Sequence, residues 1–270
     1  DLAALYLRPD QPLAPLRLTF AEYQRRHLER LRIDRDRDHE WWRERTADLP
    51  GPPQLPLAVD PARVGRPRFV RRESWLPRSA WDAVTGKARA AGVTPAMVLA
   101  AAYGEVLGRW SSQRRFVLNL PVFARDESLH PDVARLVADF TDLLLLPVDL
   151  TETAGFGDRA RGLQRSFRDA AEHTAYSGVE VLRDLSRYGE AGSGAAVFAC
   201  NLGNELITDS VRQAFGKPGF MITQTPQVWL DHQINEYPDG LHLALDAVEE
   251  LFPPGVLDGI FDSYVALLNR

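Results

Sequence analysis

Cysteine is almost absent from this chain of 270 residues: Cys200 is the single one. That excludes an internal disulfide and a cysteine-based zinc site. Its place in the apolar run 195–200 reads as a buried, inert thiol rather than a nucleophile. Such sparse cysteine use fits a cytoplasmic setting. The six histidines, at positions 27, 39, 130, 173, 232 and 242, show no HxxxH spacing. No HExxH helix, glycine-rich phosphate loop or GxSxG elbow occurs either. No apolar run approaches the ~20 residues that span a bilayer, and no signal-peptide pattern opens the chain. A basic tract is missing as well: 32 Lys and Arg face 37 Asp and Glu, for a formal net charge of -5, which argues against nucleic acid as a partner. The clusters Arg66-Pro67-Arg68 and Arg71-Arg72 read as solvated faces. The first residue is Asp1, and we expect a piece cut from a longer polypeptide.

Hydrophobic residues make up 45% and charged residues 26% of the chain, enough for a real core in one large domain or two modest lobes. Residues 21–47 predict one charged surface helix with an incomplete apolar stripe of Tyr23, Leu28, Leu31 and Trp42. The proline-rich stretch 49–57 ends it and reads as an extended crossing segment. Residues 69–76 predict a strand with its arginines on the exposed side. Ser79 and Asp82 resemble a capping box. Thr94-Pro95 opens a longer helix to Trp110, buried through Val98, Ala101, Ala102, Val106 and Leu107. Further strands are expected at 116–123, 143–148, 195–200, 219–223, 227–235 and 241–248, and helices at 156–172 and 178–188. A terminal amphipathic helix carries Val256, Leu257, Ile260, Phe261, Tyr264, Leu267 and Leu268. The interleaving gives an α/β (mixed α+β) class.

Asp231 sits in a strand-like run, where an unpartnered charge is costly. A period of two puts it on one face with Gln227, Trp229 and Gln233. That row looks like a cavity wall, able to hold substrate by hydrogen bonds while Asp231 moves protons. His232 falls on the opposite face as a core histidine. Asp139 and Thr141 form either a turn presenting a carboxylate and a hydroxyl or a plain cap. Asp246 and Glu249, before Phe252-Pro253, read as helix-start acids. From the residues alone the chain is an α/β domain with a polar pocket around Asp231, and no reaction follows.

Six segments in order are similar to the motifs of heterocyclization domains, the variant condensation domains of nonribosomal peptide synthetases. They are Leu49-Pro50-Gly51-Pro52-Pro53-Gln54-Leu55-Pro56-Leu57; Thr94-Pro95 with Val106-Leu107-Gly108-Arg109-Trp110; residues 138–146, beginning Ala138-Asp139-Phe140-Thr141; Ala196-Val197-Phe198-Ala199-Cys200-Asn201-Leu202; Thr223-Gln224-Thr225-Pro226-Gln227-Val228-Trp229-Leu230-Asp231; and residues 246–253. The resemblance covers essentially the whole chain. It implies a chloramphenicol-acetyltransferase-like fold, with residues 1–60 as the end of a first lobe and a crossing linker, and residues 61–270 as the second lobe. It also implies a tunnel between lobes that receives the phosphopantetheine arms of two peptidyl carrier domains, neighbouring adenylation domains, and no cofactor or metal bound by the domain itself. The reaction implied joins a carrier-bound acyl group to carrier-bound cysteine, serine or threonine, then cyclises and dehydrates the product to a thiazoline or oxazoline.

By the same resemblance Asp231, Thr223 and Gln227 are the catalytic candidates, and Asp139, Thr141, Thr225, Trp229, Ala199 and Cys200 the substrate-binding ones. The family's aspartate motif of the first lobe would precede Leu2 and is not in these residues. The family's threonine and serine after the phenylalanine that matches Phe198 are Ala199 and Cys200 here, and a tryptophan is Leu245. Alanine can neither donate nor accept a hydrogen bond. Three readings therefore stay open: a heterocyclase using another hydroxyl such as Thr223 or Thr225, a condensation-only enzyme, and a non-catalytic domain that docks carriers.

Overall fold

Period-two alternation becomes a mixed sheet in the computed structural model of the chain, which describes residues 1–187, 195–203, 207–216 and 219–270. Among these residues the strands are β1 (Phe69–Pro77), β2 (Arg115–Phe123), β3 (Thr141–Asp149), β4 (Ala195–Asn201), β5 (Val228–Tyr237) and β6 (Gly240–Val248), ordered β1-β6-β5-β4-β2-β3. β5 and β6 form an antiparallel hairpin, and β1 pairs antiparallel with β6. β4 runs parallel to both β5 and β2, and β3 closes the far edge antiparallel to β2. The expected α/β class is the one observed.

The register sorts the side chains onto two faces. Phe116, Leu118, Leu146, Phe198, Leu230, Leu243 and Leu245 are buried in the main core. Over this face lie α4 (Arg78–Ala90), α5 (Pro95–Trp110) and α9 (Val256–Leu268), which contact one another and the sheet. The expected stripe of α9 is buried, with Leu267 partly so, whereas α5 is buried nearly all round, including Met97, Leu99 and Tyr103, and its Val98 is only partly buried. Thr94 caps α5 by accepting from the Met97 N–H, and Tyr103 of α5 stacks between Phe198 and the rings of His232 and Tyr264. α6 (Phe156–Ala171) packs on α5 and β3. The other face carries Arg71, Asp246, Asp231, Gln233, Asn235 and Asn201. Its β3 side is covered by a helix, α7 (Gly178–Arg187), whose Gly178 leaves no room for a side chain against Leu143, and Asp209 and Arg212 line a pocket with Arg71, Glu73 and His242 on its β1–β6 side. The expected helix 178–188 thus matches α7, except that position 188 lies outside the described residues.

Several expectations fail for physical reasons. Residues 21–47 are two helices, α2 (Phe20–Leu31) and α3 (Arg35–Thr46), rather than one. Each buries its own side chains. Tyr23 of α2 joins a small cluster with Leu18, Val133 and Phe140, while α3 buries Trp42 and Asp38. The Asp38 carboxylate takes the Ala175 N–H and the His173 ring. Ser79 is no cap: Pro77 occupies that position, and β1 runs straight into α4. Arg71 and Arg72 are not solvated, since both are paired with acids. Residues 219–223 form no strand. Short helices α1 (Leu2–Leu7) and α8 (Asp209–Phe215) pack together and were not expected. The stretch 49–57 is extended as read, and Gly51 and Gln54 accept from Val117 and Ser112.

A methyl group at Gly178 would lie 2.5 Å from the Leu143 carbonyl oxygen, whereas one at Gly86 of α4 meets nothing within 4 Å. Gly178→Ala should cost about 1–3 kcal/mol in denaturant unfolding, while Gly86→Ala should be neutral or stabilise by up to about 1 kcal/mol. Equal effects would show that α7 does not lie flush on β3.

Candidate active site

A row of side chains crosses four strands on the face without α4, α5 and α9. Arg71 of β1 lies opposite Asp246 of β6, Asp246 opposite Asp231 of β5, and Asp231 opposite Val197 of β4. Two carboxylates so placed repel each other, and the structure supplies one cation. The Arg71 guanidinium grips Asp246 with two parallel bonds, Nε to Oδ1 at 2.7 Å and Nη2 to Oδ2 at 2.6 Å. The side chains are 9% and 0% exposed. This bidentate pairing is the strong form of the contact, and the hydrogen bonds to Asp246 hold the Arg71 charge more firmly than usual.

The chain before β5 folds over this row. The Thr223 backbone N–H and hydroxyl both donate to Asp246 Oδ2, at 2.8 and 2.7 Å. This is why residues 219–223 form no strand: the Thr223 N–H is bonded to a side chain instead of a ladder. Asp231 is 3% exposed and accepts one bond, from Gln233 Nε2 at 2.8 Å. Burial pushes its pKa up and the charge of Asp246 adds to that, while the Thr223 hydroxyl, the Gln233 amide and Arg71 offset part of the rise. The arrangement is a carboxyl group disposed to keep its proton beside a carboxylate that is neutralised by arginine. Such a group can give up and recover a proton.

The predicted residues divide into four sets. Asp231, Thr223 and Gln233 come together here, with Trp229 half-buried on the same face and Ala199 beside Gln233. Gln227 and Thr225 stand outside: both are exposed in the turn before β5, and Gln227 has a left-handed backbone (φ 68°), which breaks the expected polar row. Cys200 points to the helix-covered face, near Tyr264, and burial pushes its thiol up to about 12. His232 is a core histidine on that same face. Its Nδ1 meets the Ala244 carbonyl oxygen at 2.9 Å, and burial draws its pKa down to about 4.

Asp139 and Thr141 make a local turn, in which Asp139 Oδ1 accepts the Thr141 N–H at 2.8 Å. They line a separate cavity of about 550 Å³ with Tyr23, His27, Asp142 and Glu180. At strand spacing, β3 is about 14 Å from β5. The residues that sequence reasoning missed are Arg71 and Asp246. Asp246 is no helix-start acid, since it lies inside β6, and its alternation with His242 and Ala244 was the available signal. No group of three or more His, Cys, Asp or Glu among the described residues is arranged to hold a metal ion. No single described helix is long and apolar enough to cross a membrane.

The condensation domain family model matches residues 1–270. The chain is 45% identical over 275 residues to phenyloxazoline synthase MbtB of Mycobacterium tuberculosis, and 38% identical over 271 residues to pyochelin synthetase PchE of Pseudomonas aeruginosa. All of the chain is covered in both, against 19% of each relative, so it spans about a fifth of their length. Among solved structures, the EpoB NRPS cyclization-docking bidomain from Sorangium cellulosum superposes with a TM-score of 0.86 at 36% identity, covering 99% of this chain and 54% of that one.

Two measurements check the site. The folded protein binds the Asp231 proton more tightly than the unfolded chain does. Stability should therefore fall as pH rises from the ordinary carboxyl range through the raised pKa of Asp231, and level off above it. Asp231→Asn escapes this loss, so its denaturation midpoint should gain on that of the parent protein as pH rises from about 4, the ordinary carboxyl range, through the raised pKa of Asp231. Parallel pH curves would show that Asp231 holds no such proton. Arg71→Leu leaves the carboxylates without their cation and should cost about 3–5 kcal/mol.

Proposed function

This chain belongs to the condensation-domain family, as a heterocyclization-type member with a chloramphenicol-acetyltransferase-like fold, and from that premise we propose that it supplies the ring-closing half of a synthetase active site. The reaction joins a carrier-bound acyl or peptidyl donor to carrier-bound cysteine, serine or threonine. The acceptor side chain then adds to the new amide carbon, and the adduct loses water to give a thiazoline or oxazoline. Residues 61–270 act as the second lobe, and residues 1–60 as the end of the first lobe with its crossing linker. The partners are the two peptidyl carrier domains, which bring the substrates on phosphopantetheine, and an adjoining adenylation domain. The setting is the cytoplasm.

The observation that carries this reading is Asp231, a buried carboxyl group disposed to hold its proton on the sheet face that no main-core helix covers. Loss of water from the ring adduct needs a proton delivered to the departing hydroxyl and another removed from nitrogen. One carboxyl group can perform both in turn. Ala199 favours a second reading, since it leaves the β4 flank of Asp231 without a hydroxyl beside Val197. Under that reading the protein forms the amide and stops.

Intact mass of the acceptor carrier separates the two. With the intact synthetase, a loaded donor and each of cysteine, serine and threonine in turn, we expect acyl transfer followed by loss of one water. Transfer without water loss would establish the amide-only reading, and no transfer from any donor would leave a carrier-docking domain. Asp231→Asn should abolish water loss while folding stays intact. Residues 1–270 by themselves should give no turnover, and robust turnover would refute the two-lobe reading.

A further inference from the structure

Further along the same sheet face lies a cavity of about 450 Å³, lined by Arg71, Glu73 and Trp75 of β1, Tyr237 of β5, His242 of β6 and Phe220 of the segment before β5. Arg71 belongs to both places: its guanidinium bonds Asp246, so the cavity begins where the carboxylate row ends. Thr223, anchored on Asp246, holds down the segment that carries Phe220. His242 is 5% exposed and lies directly opposite Trp75. Its Nε2 meets Glu73 Oε2 at 3.2 Å, and a carboxylate accepts, so Nε2 carries the hydrogen. In the neutral ring this leaves Nδ1 as an acceptor. Nδ1 is buried and meets no hydrogen-bond partner among the described residues. A buried acceptor left without a donor costs stability and points to a partner outside the fold.

The packing around this imidazole is aromatic. Trp75 and Tyr237 stand 5.1 and 6.5 Å from it and 5.4 Å from each other, all three rings inclined to one another. Trp75 is 51% exposed and Phe220 77%, so both keep open ring surface at the cavity. Such a corner accepts the face or edge of one more flat ring, and the imidazole nitrogen accepts an O–H or N–H on that ring. The reach follows from the register. His242 precedes Asp246 by four residues on β6, about 14 Å at strand spacing, and Asp246 stands opposite Asp231. Hydrogen bonds of about 3 Å at each end leave roughly 8 Å between the carbon that reacts beside Asp231 and the atom that reaches Nδ1. In the ring adduct the nitrogen and the side-chain heteroatom come from the acceptor residue. The substituent that projects from the ring carbon is the donor's acyl group.

We propose that this cavity is the pocket for the donor's side group: it takes an acyl group of tyrosine-like reach, ending in a flat ring with a terminal hydroxyl or N–H. His242 is its specificity-determining residue, held in the accepting tautomer by Glu73, and Trp75, Tyr237 and Phe220 supply the walls. The inference rests on the acyl-transfer half of the function proposed above and names its donor class. It holds for a ring-closing enzyme and for an amide-forming one alike, since both bring the donor carbonyl to the same place.

The test uses the intact synthetase with its donor carrier loaded in turn with tyrosyl, phenylalanyl and leucyl groups, and measures kcat/KM for acyl transfer by carrier mass. The three donors differ first by the hydroxyl and then by the ring. Leaving a buried acceptor unpaired corresponds to about ten- to a hundredfold in rate, so tyrosyl should exceed phenylalanyl by that factor, and leucyl should fall below phenylalanyl. His242→Phe keeps a flat ring and removes the acceptor, so the ratio of tyrosyl to phenylalanyl should collapse to near one. His242→Asn keeps an acceptor at the place of Nδ1 and should retain most of the preference. Equal kcat/KM for tyrosyl and phenylalanyl in the parent protein overturns the proposal, whether or not the variants fold, and so does an undiminished preference in His242→Phe. Transfer of other acyl groups but of none of these three overturns the pocket alone and leaves the acyl-transfer reading standing. If no donor of any kind is transferred, that reading fails and the pocket falls with it.

Discussion

One buried guanidinium holds the polar half of this sheet in place. Asp231 and Asp246 meet across the β5–β6 ladder because the hairpin register leaves them no alternative. In a medium of low dielectric constant two such charges would drive the strands apart or force a proton onto one of them. Arg71 supplies the compensating charge, since two of its nitrogens bond Asp246. The same contact fixes β1 on β6, because a slip of one residue would carry Arg71 to the opposite face. It also ties down the chain around Thr223, whose anchor is Asp246. Register, charge compensation and the course of the segment before β5 thus share a single cause.

Much of the fold could be read where packing is simple. β2, β3, α5 and α9 are covered by apolar neighbours on the side their periodicity shows, and the sequence period gave their positions to within a few residues. Reading failed where a polar side chain does the work of packing. The buried face of α3 includes Asp38, which pattern analysis scores as solvated. Residues 219–223 satisfy backbone through a carboxylate 23 positions away, which no local rule detects.

The site was half legible for the same reason. Asp231 stood out as a charge amid apolar residues, and its face followed from the period of two. Gln227 obeys that period on paper, but the Pro226-Gln227 turn, with its left-handed backbone, ends the strand before it. Asp246 was misread because acids at 249 and 250 follow it before Pro253, which imitates a helix start. Arg71 sat in a cluster that composition alone marks as surface. A single sequence shows that each strand has a polar residue, but not which strands are neighbours. The order β1-β6-β5 is what joins the three.

The parallel pairing of β4 with β5 has a further consequence for recombining such proteins. Parallel neighbours need a long return connection, so the chain must leave the end of β4 and travel back to begin β5. Thr223 lies on that return path and bonds the acid that β6 carries. The stretch from β4 to the end of β6 is therefore a self-contained cassette: it brings the overlying hydroxyl, Asp231 and Asp246 as one piece. A chimera cut at its two ends would need only a matching arginine from the host's β1 to inherit the complete row.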